Sequence, residues 1–202
     1  MEDRILTDVT GKLLCVAGAV LLAFGPSGCA QRRTTSTEPV DPATVAVQKA
    51  EALTKAKPDD PMAWANLVNA RYAAATRDID PGTQEFGPEG MKLLPGVVEA
   101  WNRHRALASG VRGGPDVRAA ASAVQALVAL DRPREAADAQ KVVADASPTS
   151  QAYARLAMLR YAAGEIAEGD AARAVALSLT SRDFRPALRE QLDQSRSTAP
   201  GR

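Results

Sequence analysis

The 202-residue sequence holds one histidine, His104, which stands between Arg103 and Arg105 on a stretch of helical periodicity. An imidazole can act as general base or metal ligand, but one alone builds neither the usual catalytic constellation nor a histidine cluster, and on such a helix it reads as an exposed or half-buried side chain. The two cysteines, Cys15 and Cys29, lie near the N-terminus, so the chain beyond Cys29 can form neither a disulfide nor a thiolate zinc site. The carboxylates Asp59 and Asp60 precede a helix, where they read as caps that favour its dipole. The sequence has no glycine-rich phosphate loop, no G-x-S-x-G elbow and no H-E-x-x-H pair. No catalytic residue, metal or cofactor is expected.

What remains is polar chemistry suited to binding. Asn66, Asn69 and Tyr72 fall at helical spacing beside apolar positions, as do Ser122 and Gln125, and Arg155, Met158 and Tyr161. An asparagine amide can both donate to and accept from an extended peptide backbone, and a guanidinium such as Arg155 can hold a carboxylate. The two tyrosines read equally well as packing between helices, and the Asn and Arg residues as a solvated face.

The elements that must position these residues are helical. Hydrophobic residues make up 46% of the chain but aromatics only 4%, so alanine and leucine dominate and closely packed helices are favoured. Lys+Arg 25 against Asp+Glu 24 leaves a charge of +1, with no electrostatic footprint for nucleic acid. The stretch "AWANLVNARYAAA" (Ala63 to Ala75) returns as "AYARLAMLRYAAG" (Ala152 to Gly164), with Trp64 matching Tyr153, Leu67 matching Leu156, and an Arg-Tyr pair in each. Before each copy lies a small-residue helix closed by proline, in which Ala46, Ala50, Leu53 and Pro58 match Ala136, Gln140, Val143 and Pro148. A chain that repeats its helices in this way is built to stack them, because one helical pair cannot hide its own apolar face.

The order of small-residue helix, proline turn, then aromatic-Leu helix resembles the tetratricopeptide repeat, in which helices A and B alternate about every 34 residues. The resemblance covers roughly Asp41 to Thr180 and implies an all-α, right-handed solenoid of antiparallel helix pairs, about eight helices in all. By the same resemblance Trp64, Leu67, Tyr153, Leu156 and Ala157 are helix A packing positions, Gly164 is the turn into helix B, and Ala136 and Gly169 are its small residues. In peptide-binding members of that family an Asn matching Asn66 contacts the ligand backbone. This chain departs from the pattern at Val68 and Ala157, which replace the family's glycine, and at Tyr72 and Tyr161, each one place late.

Equivalent residues lie about 90 apart, which is two standard repeats plus roughly twenty residues. An insertion loop is therefore expected at about 76–95, where Pro, Gly and Asp interrupt the pattern, with Phe86 folding back on the solenoid. Val97, Val98, Trp101 and Ala108 then supply a helix B face, and Val117, Val124, Leu127 and Val128 a helix A face. Phe184, Leu188 and Leu192 mark a C-terminal capping helix on a charged segment. The helical domain is expected at 42–196, with a disordered tail at 197–202.

Residues 1–29 read as an address. Leu13 to Phe24 is an uncharged apolar run of signal-peptide length, too short to span a membrane. Ser27-Gly28-Cys29 resembles the end of a bacterial lipobox, which implies lipidation at Cys29 and a membrane-tethered protein facing outside the cytoplasm, with 30–41 as flexible tether. Pro26 in place of the usual Leu and the acidic "MEDRILTD" leave open cleavage after Ala30 and secretion, an uncleaved anchor, or cytoplasmic residence from a downstream start. The sequence as a whole resembles tetratricopeptide proteins and lipoproteins of high-GC bacteria. These readings converge on a non-enzymatic scaffold that binds a protein or peptide in the concave groove. A self-associating envelope protein, and a small-ligand-binding or hydrolytic protein, are the alternatives.

Overall fold

The computed structural model describes residues 41–200; the expected export segment, Cys29 and the expected tether up to Val40 lie outside the described residues. The described residues form eight α-helices: α1 (Pro42–Ala56), α2 (Pro61–Ala75), α3 (Pro88–Ala108), α4 (Val117–Ala129), α5 (Pro133–Ala146), α6 (Ser150–Ala162), α7 (Ile166–Leu179) and α8 (Arg185–Ser197). A short 3-10 turn, Thr76–Asp78, follows α2. Among these residues no helix is long and apolar enough to cross a membrane.

Their boundaries follow from local chemistry. Asp41, Asp60, Asp116 and Thr149 each accept a hydrogen bond from a backbone N–H in the first turn of α1, α2, α4 and α6. Proline occupies the first turn of α1, α2, α3, α5 and α8, where its missing N–H costs nothing. Gly164, at φ 75°, makes the turn from α6 into α7, a left-handed conformation that a side chain would strain.

Consecutive helices pack as antiparallel pairs, and contacts skip to the next pair between α2 and α4 and between α6 and α8. The pairs α2–α3, α4–α5 and α6–α7 are thus three repeat units in tetratricopeptide-like order, with α1 a leading helix B and α8 a closing helix A. This is the all-α solenoid that the repeat implied. An inner row (α2, α4, α6, α8) lies against an outer row (α1, α3, α5, α7).

The core runs through the units as two clusters, one centred on Leu67, Leu94, Trp101, Val124 and Leu127, the other on Leu156, Tyr161, Ala176 and Leu192. Alanine fills the rest: Ala119, Ala120, Ala123 and Ala126 of α4 are all buried, and small side chains let α4 sit close to neighbours on both sides. Val117 and Val128, expected in that core, are exposed instead, because the alanine stripe and not the valines faces the adjoining helices. On α1, Val45 and Ala46 are exposed whereas the matching Ala136 on α5 is buried, since no described helix precedes α1.

The insertion is shorter than 76–95. Helix α3 starts at Pro88 and runs straight through Pro95, which removes one backbone donor at a cost of about 3 kcal/mol. Burial of Leu94, Val97, Val98 and Trp101 on the same helix offsets that cost. The remaining loop is pinned. The Asp78 carboxylate accepts from Gly90 N–H at 2.8 Å, Asp80 accepts from the N–H groups of Gly82 and Thr83, and Ile79 pairs with Phe86 in a single antiparallel bridge. Phe86 folds back as expected, its ring edge-on to Tyr72 at 6.2 Å. The C-terminus also differs from the expected disordered tail: α8 includes Ser197, and Ala199 is buried beside the core.

Candidate functional site

The inner row carries most of the residues singled out for binding. On α2, Asn66 is exposed and Asn69 and Tyr72 are half-buried. Ser122 on α4 donates from Oγ to Asn69 Oδ1 at 3.0 Å, and Arg155 on α6 donates from Nη2 to Gln125 Oε1 of α4 at 3.0 Å. One side-chain hydrogen bond therefore bridges α2 and α4, and another bridges α4 and α6.

Tyr161 is a correction. It is fully buried, and its hydroxyl donates to Asp170 Oδ1 of α7 at 2.9 Å. Burial and that hydrogen bond to a carboxylate push its pKa up to about 12. Gly169 of α7 makes room for the ring, since a Cβ there would lie 2.4 Å from Tyr161 Cε1. The space at Gly169 admits this ring against α7, whereas Tyr72, displaced by the same one place, stays half-buried. Tyr161 is a packing residue and cannot reach a partner.

His104 is likewise structural, and more deeply placed than its flanking arginines suggested. It is buried, with Nδ1 at 2.8 Å from the Pro61 carbonyl oxygen and Nε2 accepting from the Asp116 N–H at 2.8 Å. A neutral ring with its proton on Nδ1 satisfies both and ties α3 to the starts of α2 and α4. Of the two acids read as caps, Asp60 caps α2, and Asp59 lies 3.5 Å from Arg103. Among the described residues no group of three His, Cys, Asp or Glu converges as a metal site.

Arg155 differs from the other partly buried arginines. Arg71, Arg105, Arg160, Arg173 and Arg196 each face a carboxylate, whereas Arg155 and Arg185 face none among the described residues. Burial pulls the Arg155 guanidinium below its ordinary value, and the Tyr72 hydroxyl opposes that pull; burial in turn raises Tyr72. Arg155 stands on the wall between two clefts. One, of about 270 Å³, lies between α4, α5 and α6; the other, of about 580 Å³, lies between α6 and α8 beside Met158 and Leu188. Neither is lined by an acidic side chain.

Sequence reading missed the α8 side of this second cleft. Phe184, expected on the apolar face of the cap, is 73% exposed and lines the cleft, while Leu192 alone of the α8 apolar residues is completely buried. Position 184 precedes the Arg185-Pro186 helix start, so it belongs to the connection and not to the periodic face; that was the available signal.

No family model matches the sequence, and no curated protein matches it. Among solved structures the chain is similar to a thermophilic tetratricopeptide-repeat protein of Thermus thermophilus, at 16% sequence identity and a TM-score of 0.44, over 76% of this chain and 72% of that one.

Proposed function

We propose that the protein is a non-enzymatic interaction scaffold that binds a peptide or protein segment along the inner row of α2, α4, α6 and α8. The observation that carries this reading is the half-buried Arg155, without a carboxylate partner, on the wall between two open clefts. A desolvated cation is costly unless it is paired, so a site that leaves one unpaired is complementary to an incoming anion. Asn66 and Gln125 add amide groups able to meet an extended backbone. The polar outer side of α8, with Arg189, Glu190, Asp193 and Gln194 exposed, disfavours end-to-end self-association, as a terminal cap does.

The test is selection of random 12-residue phage-displayed peptides on the whole chain, followed by binding measurements on variants. Asn66→Ala and Gln125→Ala are expected to weaken binding severalfold, and Glu99→Ala on the outer row to leave it unchanged. Equal effects from both rows would contradict the reading.

Export and tethering through a lipidated Cys29 belong to the same proposal and rest on the apolar run and the lipobox-like Ser27-Gly28-Cys29. Intact mass and membrane fractionation in a bacterial host, with Cys29→Ser beside the native sequence, test them. A diacylated chain beginning at Cys29 and lost in the variant is expected; an unprocessed soluble chain from Met1 would refute them.

A further inference from the structure

Resting on the inner-row reading, we infer that the cleft between α6 and the cap α8 is the primary docking point, and that its occupant is an acidic segment with an apolar residue next to its carboxylate. The apolar half of the inference comes from what lines the cleft. Phe184 is 73% exposed, the most exposed of the large apolar residues described, and it lines the cleft together with Met158 and Leu188, both only partly buried. A large exposed aromatic beside a concave apolar surface is the arrangement of an interface anchor. At about 580 Å³ the cleft has room for a Leu, Met or Phe side chain together with its flanking backbone.

The acidic half comes from charge. Arg155 lines the cleft and has one described hydrogen-bond partner, the neutral Gln125. Arg185 lies at the Thr180 edge with its Nη2 on the Thr180 carbonyl oxygen and its buried Nε without a partner. Two half-buried guanidiniums thus flank a cleft that holds no carboxylate, whereas the five other half-buried arginines are each paired within the chain. A carboxylate brought by the partner supplies the missing charge, and Gln151 and Gln191 on the rim can hydrogen-bond its backbone. Placing the apolar anchor next to the acid fixes the register of the bound segment.

The peptides selected on the whole chain test this, with fluorescence anisotropy as the readout. Selected sequences are expected to combine Asp or Glu with Leu, Met or Phe within a few positions. Arg155→Gln should lower affinity about tenfold, the loss of one charge-assisted hydrogen bond, and Arg155→Lys should restore part of it. Phe184→Ser, at an exposed position just before α8, should weaken binding severalfold with the fold intact by circular dichroism. Raised salt should weaken binding to the native chain and have less effect on Arg155→Gln. Peptides without acidic residues, or binding indifferent to Arg155→Gln but lost in Asn66→Ala, would overturn the cleft assignment and leave the row reading standing. Peptides indifferent to every inner-row substitution would overturn both.

Discussion

Helices α2 and α6 share a repeated sequence pattern, yet they use their Arg-Tyr pair in one common way and one divergent way. The arginine acts alike in both. Arg71 reaches Glu51 on the preceding outer helix at 2.9 Å and the Gly96 carbonyl oxygen on the following one, also at 2.9 Å. Arg160 reaches Asp138 on the preceding outer helix at 2.9 Å and Glu165 at the start of the following one. Each is a clamp across three helices, so the repeat carries a joint as well as a packing stripe. The tyrosines part company because their neighbours differ. Gly169 leaves space for Tyr161 against α7, whereas in the first unit the insertion brings Phe86 in and Tyr72 stays half-buried at its edge. One residue of a local neighbourhood decides whether a repeated side chain becomes core or surface.

The comparison can be broken most forcefully at Gly169. Gly169→Ala places a methyl group 2.4 Å from the Tyr161 ring, which is enclosed and cannot swing away, and is expected to destabilise the protein by about 3 kcal/mol in chemical denaturation. Adding Tyr161→Leu should return part of that loss, a positive coupling that a mere helix-propensity effect would not give.

The clamps come next. Arg160→Ala takes from the mostly enclosed Glu165 one of its two arginine partners, Arg134 being the other, and is expected to cost about 2 kcal/mol. Arg71→Ala, whose partner Glu51 is more exposed, is expected to cost about 1 kcal/mol. Equal losses would mean that burial of the partner does not set the strength of the joint.

Alkaline pH separates the tyrosines. The folded value of Tyr161 is raised, so its contribution is complete below its ordinary value of 10.0 and is lost as pH rises through about 12. Thermal stability should fall across that window, and Tyr161→Phe should lose about 1 kcal/mol at neutral pH while flattening the alkaline fall. Tyr72→Phe should change the alkaline profile less.

The smallest effect lies at the cap. Arg196 and the Tyr161 hydroxyl hydrogen-bond the Asp170 carboxylate and hold it below its usual range. That contribution is present above the ordinary carboxylate value of 3.8 and is lost as pH falls through the lowered folded value. Protection factors of α8 amides should fall in acid before those of α2, and Asp170→Asn should remove most of the difference.

Helices and their pairing were legible because a 3.6-residue apolar pattern and proline-marked starts are local properties. The repeated Arg-Tyr helix even announced its units. Orientation within the row was less legible. Spacing placed Tyr161 beside Met158, but whether it faced a partner or α7 depended on Gly169, a residue on another helix. Pro95 read as a break because the cost of interior proline is local, while the burial of Leu94, Val97 and Val98 that offsets it is tertiary. The missing carboxylate at Arg155 was invisible for the same reason: the chain has 24 acidic residues, and only folding shows which arginines they reach.

The most direct test of binding along the inner row is hydrogen–deuterium exchange of the whole chain with and without a selected peptide, using native protein beside Arg155→Gln. The account predicts added protection in α6 and α8 around Arg155 and Phe184, extending to α4, and clearly less of it in the variant at the same peptide concentration. Protection confined to the outer helices α3, α5 and α7 would contradict it.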